Sequence, residues 1–177
     1  MLNGDSMNKT EAEKRIVISD AGPLIHLDEL DRLDILNYQE ILVPDAVWRE
    51  VAHHRPHALQ CSAIRLMPRT VTTLPSEVIA LSPLFGLHLG EQEALALCIE
   101  NPNCLLLTDD SAARLAAENL KVSAHGTIGL LIRAIRLHLY SVQEGLKLLT
   151  EIPVRSTLHI RSDLLARIIR QVVQEFV

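Results

Sequence analysis

The feature that most constrains this chain is a repeated join, in which a short aliphatic run ends directly in an acid. Arg15-Ile16-Val17-Ile18-Ser19 runs into Asp20, and Cys104-Leu105-Leu106-Leu107-Thr108 runs into Asp109-Asp110. Runs of this kind, without polar alternation, suit strands covered on both faces. After them the spacing turns helical. Leu24, Ile25, Leu27 and Leu30 form one such set, with Leu33 and Leu36 placed to extend its apolar face; Ala112, Leu115 and Ala116 form another. Strands alternating with helices imply a parallel sheet flanked on both sides. The expected fold class is therefore α/β, a three-layer α/β/α arrangement around a mostly parallel sheet.

The remaining elements fit the same plan. Ile41-Leu42-Val43 is a strand, and Pro44 opens a helix with Val47 and Val51 one turn apart and Pro56 as its stop. Residues 55–75 are ambiguous: Ala58, Ile64 and Leu66 suit a helix, and Val71 to Leu74 a short strand. Helices are expected over Ser76–Leu84, ending near Pro83, and over Gly90–Glu100, closed by Asn101-Pro102-Asn103. Val122 to Ala124 is a short strand. Helices follow at Thr127–Leu139, with Gly126 or Thr127 as cap, at Val142–Leu149 and at Ser162–Phe176.

A chain of 177 residues fits one domain, expected over residues 15–177. Residues 1–14 are polar and are expected to be a disordered leader, with Met7 as a candidate natural start. Hydrophobic residues make up 48% of the chain but aromatics only 3%, so Leu, Ile, Val and Ala must do the packing. Cys61, Cys98 and Cys104 show no zinc-ribbon or redox spacing and are expected as free thiols in a reducing cytoplasm. No apolar run is long enough for a membrane span, and the N-terminus lacks the apolar stretch of a signal peptide.

Ligands of open α/β sheets bind beyond the carboxyl ends of the strands. Asp20, Asp109 and Asp110 lie at such ends. Glu50 lies in the helix after the second strand, and Glu91 opens the helix that leads into Cys104–Thr108. Each has an ordinary role alone: Asp20 as a helix cap, Glu91 against a helix dipole, Asp109 or Asp110 as the next cap, Glu50 as a solvated side chain. Together they describe a carboxylate cluster. Such a cluster repels itself until protons or a hard divalent cation relieve it. A cation so held can polarise a phosphodiester and lower the pKa of a water. The net charge of −5 and pI near 5.9 speak against a broad phosphate-gripping surface. They leave room for a small contact where the cation supplies the positive charge.

Several classes are excluded. There is no Walker loop, nucleophile elbow or dinucleotide glycine pattern. Receiver domains carry their acid pair early and the single aspartate later, the reverse of this order. Haloacid-dehalogenase-type phosphatases need an aspartate where Gly22 stands. His53, His54 and His57 are a surface cluster, since Pro56 interrupts any helical ligand face. Arg133, Arg136, Arg161, Arg167 and Arg170 are mostly solvated faces, some of them candidates for meeting acids of a partner.

Four segments resemble a known family in order and rough spacing. Ile16-Val17-Ile18-Ser19-Asp20-Ala21-Gly22-Pro23-Leu24-Ile25 is similar to the first strand and catalytic aspartate of PIN domains, and Val43-Pro44-Asp45-Ala46-Val47-Trp48-Arg49-Glu50-Val51 to their second acidic segment. Gly90-Glu91-Gln92-Glu93-Ala94-Leu95-Ala96-Leu97 resembles the third, and Leu106-Leu107-Thr108-Asp109-Asp110-Ser111-Ala112-Ala113-Arg114 the fourth. The resemblance covers about residues 15–135 and points to a divergent branch of VapC-like toxin ribonucleases. It implies a single-strand-specific ribonuclease using Mg²⁺ or Mn²⁺. Asp20, Glu50, Glu91, Asp109 and Asp110 are then the catalytic candidates. Asp20, Glu91 and Asp109 or Asp110 are the metal ligands, and Thr108 supports them. Glu93 competes with Glu91 for the third position. The family pattern further implies a homodimer, a cognate antitoxin as partner and RNA as substrate. The alternative is a catalytically inert PIN-like module that binds an antitoxin or RNA, favoured by Pro23 where many members carry a small hydroxyl residue.

Overall fold

The first strand, β1 (Val17–Ser19), is central because its side chains are apolar on both faces: Val17 and Ile18 are fully buried. A computed structural model describes residues 15–38 and 40–176; the expected leader, residues 1–14, lies outside the described residues. The other strands are β2 (Ile41–Pro44), β3 (Leu66–Arg69), β4 (Leu105–Leu107) and β5 (Ser123–His125). They form one sheet in the order β3-β2-β1-β4-β5, and every described pairing is parallel. The expected three-layer α/β architecture is present, and the sheet is parallel throughout.

The chain winds outward from β1 in two directions, first to β2 and β3, then back past β1 to β4 and β5. That reversal opens a crevice at the carboxyl end of β1, the usual place for a ligand in such sheets. Eight α-helices cover the sheet among the described residues: α1 (Ala21–Glu29), α2 (Asp45–His54), α3 (Ser76–Phe85), α4 (Leu89–Glu100), α5 (Ser111–Asn119), α6 (Thr127–Arg136), α7 (Val142–Arg155) and α8 (Ser162–Phe176).

Strand side chains alternate between two cores, as the two-residue period of a strand requires. Val17, Val43, Leu105 and Leu107 meet α1, α2, α6, α7 and α8 on one face. Ile18, Leu42 and Leu106 meet α3, α4 and α5 on the other. Truncating one of these residues, Leu106 for example, leaves a void that close-packed neighbours refill poorly, at about 2–5 kcal/mol.

Four stretches depart from the sequence expectations. The ambiguous segment holds a short 3₁₀ helix (Pro56–Gln60) and then β3, whose Pro68 pairs with Val43. Neither the helix through Leu66 nor the Val71–Leu74 strand forms. Proline is tolerated there because β3 is an edge strand, where one missing N–H costs no ladder bond on the open side. Pro83 does not end its helix: α3 runs on to Phe85 and stops at Gly86, whose φ of 68° is the left-handed cap that favours glycine. Likewise α7 passes through Pro153 to Arg155. On the other hand α1 stops at Glu29, because Asp31 turns left-handed (φ 57°), and Leu33 lies in a separate 3₁₀ turn.

Cys98 and Cys104 are buried free thiols, and Cys61 is free and half-buried. Among the described residues no helix is long and apolar enough to cross a membrane.

Candidate active site

Strand register fixes the first acid. Ser19 pairs with Leu107, so Asp20 and Thr108 emerge side by side at the ends of β1 and β4. The Asp20 amide still donates to the Leu107 carbonyl at 2.9 Å. Asp20 stands at the N-cap position of α1, yet its side chain makes no cap bond there. The Thr108 hydroxyl donates to its Oδ2 at 3.0 Å instead. Only 8% of Asp20 is exposed. Burial pushes its pKa up from 3.8 to about 6. The Ala21 amide and the Thr108 hydroxyl pull it down, and the charges of Glu91 and Glu50 push it further up.

Those two glutamates arrive from α2 and α4. Glu50 is exposed on α2. Its Oε2 and Asp20 Oδ1 both approach the bare Cα of Gly90: a β-carbon there would lie 3.7 Å and 3.9 Å from them, and 3.2 Å from Val47 Cγ2. The start of α4 therefore comes close to both acids because residue 90 has no side chain. Glu91 forms a capping box, its Oε2 accepting the His88 amide at 2.6 Å. Its pKa is raised, chiefly by burial and then by Asp110 and Glu50, against the pull of the His88 amide and ring.

The adjacent aspartates diverge in role. Asp109 accepts the Thr127 amide on Oδ1 at 2.7 Å and the Thr127 hydroxyl on Oδ2 at 2.6 Å, and Oδ2 also lies 2.8 Å from His26 Nδ1. It thus caps α6 from 18 residues away, while the N-cap residue itself, Gly126, has no side chain to offer. Any β-carbon on Gly126 would collide with Asp109 Oδ1 at 2.6 Å. Asp110 is the N-cap of α5: its Oδ1 accepts the Ala113 amide at 2.8 Å. No hydrogen bond engages its Oδ2 among the described residues. Thr108 serves both neighbours, since its Oγ1 also accepts the Asp110 amide at 3.2 Å.

All five acids expected from the sequence line one cavity of about 360 Å³. Glu93 does not. It is buried, and its Oε2 accepts the Ala46 amide at 2.8 Å, tying α4 to the start of α2. Sequence reasoning missed His26, His88 and the 157–159 segment, which line the same cavity. His26 had a signal: it is one helical turn from Gly22 and on the same side of α1. The 157–159 segment, more than forty residues beyond the last acid, had none. The surface histidines lie elsewhere. His57 Nδ1 is 2.8 Å from Asp28, which also binds Arg55 at 2.7 Å.

Among the described residues no three His, Cys, Asp or Glu side chains are drawn together into a finished metal cage. The donor set nevertheless suits a hard cation held largely through water. Its oxygens are carboxylate oxygens, Asp20 Oδ1 and Asp110 Oδ2 are not tied up by side-chain or cap bonds among the described residues, and burial, with the charges of Glu91 and Glu50, raises the Asp20 pKa.

The family model described as a PIN domain matches residues 16–174. PIN domains are generally nucleases and typically use divalent metal ions. Neither a curated protein nor a solved structure matches the chain. A match running from the first strand almost to the end of α8, over a parallel sheet with its acids at the strand ends, leaves one assignment: this chain belongs to the PIN-domain family.

Proposed function

We propose that this PIN domain is a metal-dependent endoribonuclease that hydrolyses single-stranded RNA in the acidic cavity. We further propose that it acts as the toxin of a toxin–antitoxin pair, with a cognate antitoxin as partner and a homodimer as its assembly. One observation carries the catalytic reading. Asp20 is buried among other acids with a single hydroxyl as its side-chain partner, and its pKa rises to about 6. A protein gains nothing in stability from a carboxylate kept in this condition, whereas a cation site gains a ligand.

Asp20, Glu91 and Asp110 would hold the Mg²⁺ or Mn²⁺. Asp109, with both oxygens engaged, positions α6 and His26. When bound, the cation supplies positive charge beside the phosphodiester and lowers the pKa of a water. Thr108 fixes Asp20 Oδ2, which orients Oδ1 toward the cavity. Glu50 is the most exposed of the acids and accepts the water proton. The water oxygen bonds to phosphorus as the bond to the 3′-oxygen breaks, and the departing 3′-oxygen takes a proton from solvent, leaving a 5′-phosphate and a 3′-hydroxyl.

Isothermal titration with Mn²⁺, paired with cleavage of a labelled single-stranded oligoribonucleotide, tests the reading. Heat and cleavage are expected from the wild type and neither from Asp20→Asn. An Asp20→Asn protein that cuts at the wild-type rate would end the proposal. Induced expression should arrest growth for the wild type alone if the toxin role holds.

A further inference from the structure

Beside the acidic cavity lies a larger one of about 560 Å³, within the usual size of a ligand site. The two share a wall: Asp109, Leu158 and His159 line both. Leu158 and His159 belong to the connection between α7 and α8, which Glu29 pins in place. Glu29 Oε2 accepts from the Ser156 hydroxyl at 3.0 Å and the Thr157 amide at 2.7 Å, and Oε1 accepts from the Thr157 hydroxyl at 3.0 Å.

The second cavity has the opposite character. Ile128 and Ile132 of α6 and Leu164 and Ile168 of α8 make it aliphatic, and Arg114, Arg133 and Arg136 contribute cations. Arg136 is offset by Glu175, which binds it through two contacts of 2.9 Å. Arg114 donates to the Thr108 carbonyl, and Arg133 lies 5.0 Å from the centre of the Tyr38 ring, so neither of these contacts cancels a charge. Asp109, the one carboxylate lining this cavity among the described residues, is already engaged by Thr127 and His26. The surplus is felt at His125 in the same lining, whose pKa is lowered by burial and then by Arg133, Arg15 and Arg114.

We infer that this second cavity binds the nucleotide adjacent to the one cleaved, its base and ribose against the aliphatic side chains and its phosphate at Arg114 and Arg133. The inference rests on the nuclease reading of the acidic cavity for the identity of the strand. Charge complementarity selects the occupant. A polyanion entering a chain of net charge −5 is repelled by the acids, and needs uncompensated cations where the strand continues. The shared wall puts those cations one partition away. Apolar surface together with Arg114 and Arg133, which no carboxylate pairs among the described residues, suits a nucleotide, which brings a planar base and an anion in one unit.

The test is fluorescence anisotropy of a labelled single-stranded hexaribonucleotide in EDTA, using the full chain as wild type, Leu164→Glu and Arg133→Gln. Leu164 is 39% exposed, so a carboxylate there is tolerated by the fold and enters the cavity mouth. Both variants are expected to weaken binding about tenfold. Arg133→Gln should also reduce the slope of log Kd against log salt by about 0.7, as losing one phosphate contact to a single strand predicts. The heat of Mn²⁺ binding should not change, and in cleavage KM should rise while kcat holds. If the wild type binds and cleaves and both variants match it in Kd and salt slope, the inference falls and the nuclease reading stands. Variant-sensitive binding by a protein that cleaves nothing with Mn²⁺ keeps the inference and defeats the nuclease reading. A wild type that binds no oligonucleotide, for instance one that takes only an antitoxin peptide in this cavity, overturns the inference.

Discussion

Two aspartates near the opposite ends of α1 are almost equally hidden and are treated in opposite ways. Asp28 is 4% exposed and is met by three nitrogens, Arg55 Nε at 2.8 Å, Arg55 Nη2 at 2.7 Å and His57 Nδ1 at 2.8 Å. Asp20 is 8% exposed and receives the Thr108 hydroxyl and the Ala21 amide, neither of them charged, with two glutamates as its charged company. Burying a carboxylate is costly unless a partner compensates it. At Asp28 the fold provides the partners itself and gains a clamp between α1 and the turn after α2. At Asp20 it leaves the cost standing. The same residue type, at similar depth, is a structural tie in one place and an acid with no cationic partner among the described residues in the other.

The sharpest way to break this comparison is to neutralise each carboxyl in turn. Asp20→Asn is expected to lower oligoribonucleotide cleavage about 1000-fold, roughly 4 kcal/mol of transition-state stabilisation. Asp28→Asn should leave kcat within about threefold per folded molecule; equal losses would erase the distinction.

Stability should move the other way. The folded-state pKa of Asp20 lies above its unfolded value, so its contribution is fully present below about pH 4 and is lost as pH rises through about 6. The difference between 3.8 and about 6 corresponds to roughly 3 kcal/mol. Metal-free Asp20→Asn should therefore be more stable than the wild type at pH 7.5 by up to that amount in urea denaturation, with the gap closing toward pH 4. Asp28→Asn should be less stable than the wild type at pH 7.5 by about 1–3 kcal/mol, because it strips a cation pair of its acceptor. The effect is limited because Arg55 is 40% exposed and can turn to water. The smallest expected effect refines the Asp20 side alone. Thr108→Val removes the hydroxyl that holds Asp20 Oδ2, at about 1 kcal/mol. It should also raise the Asp20 pKa, visible as an upward shift of the acidic limb of the pH–rate profile.

The sequence carried most of the sheet and less of its edges. β1 and β4 announce themselves as unbroken aliphatic runs because both faces of each strand are buried. β3, Leu-Met-Pro-Arg at an open edge, has no such burial to impose a pattern, and its proline reads as a breaker. Pro83 misleads for a related reason: it is exposed, so the helix accommodates it without disturbing a packed face. Four of the five acids were legible because they follow a strand or open a helix; Glu50, in the interior of α2, was legible only through the resemblance of its segment. Their division of labour was not. Whether Asp109 or Asp110 keeps a free oxygen depends on Thr127, 18 residues on, and on His26, 83 residues back. Glu93 and Glu91 are two apart on one helix and so leave it on different sides; which side faces inward depends on how α4 docks, with the Ala46 amide meeting Glu93.

The Glu29 clamp gives the molecule an order in time. Translation delivers Asp20 first, Asp109 and Asp110 about ninety residues later, and Leu158 and His159 nearly fifty residues after those. A growing chain released as far as α7 already carries all five carboxylates, with nothing yet for Glu29 to hold and no partition between the two hollows. The partition between the two hollows therefore forms only after every one of the five carboxylates has been made.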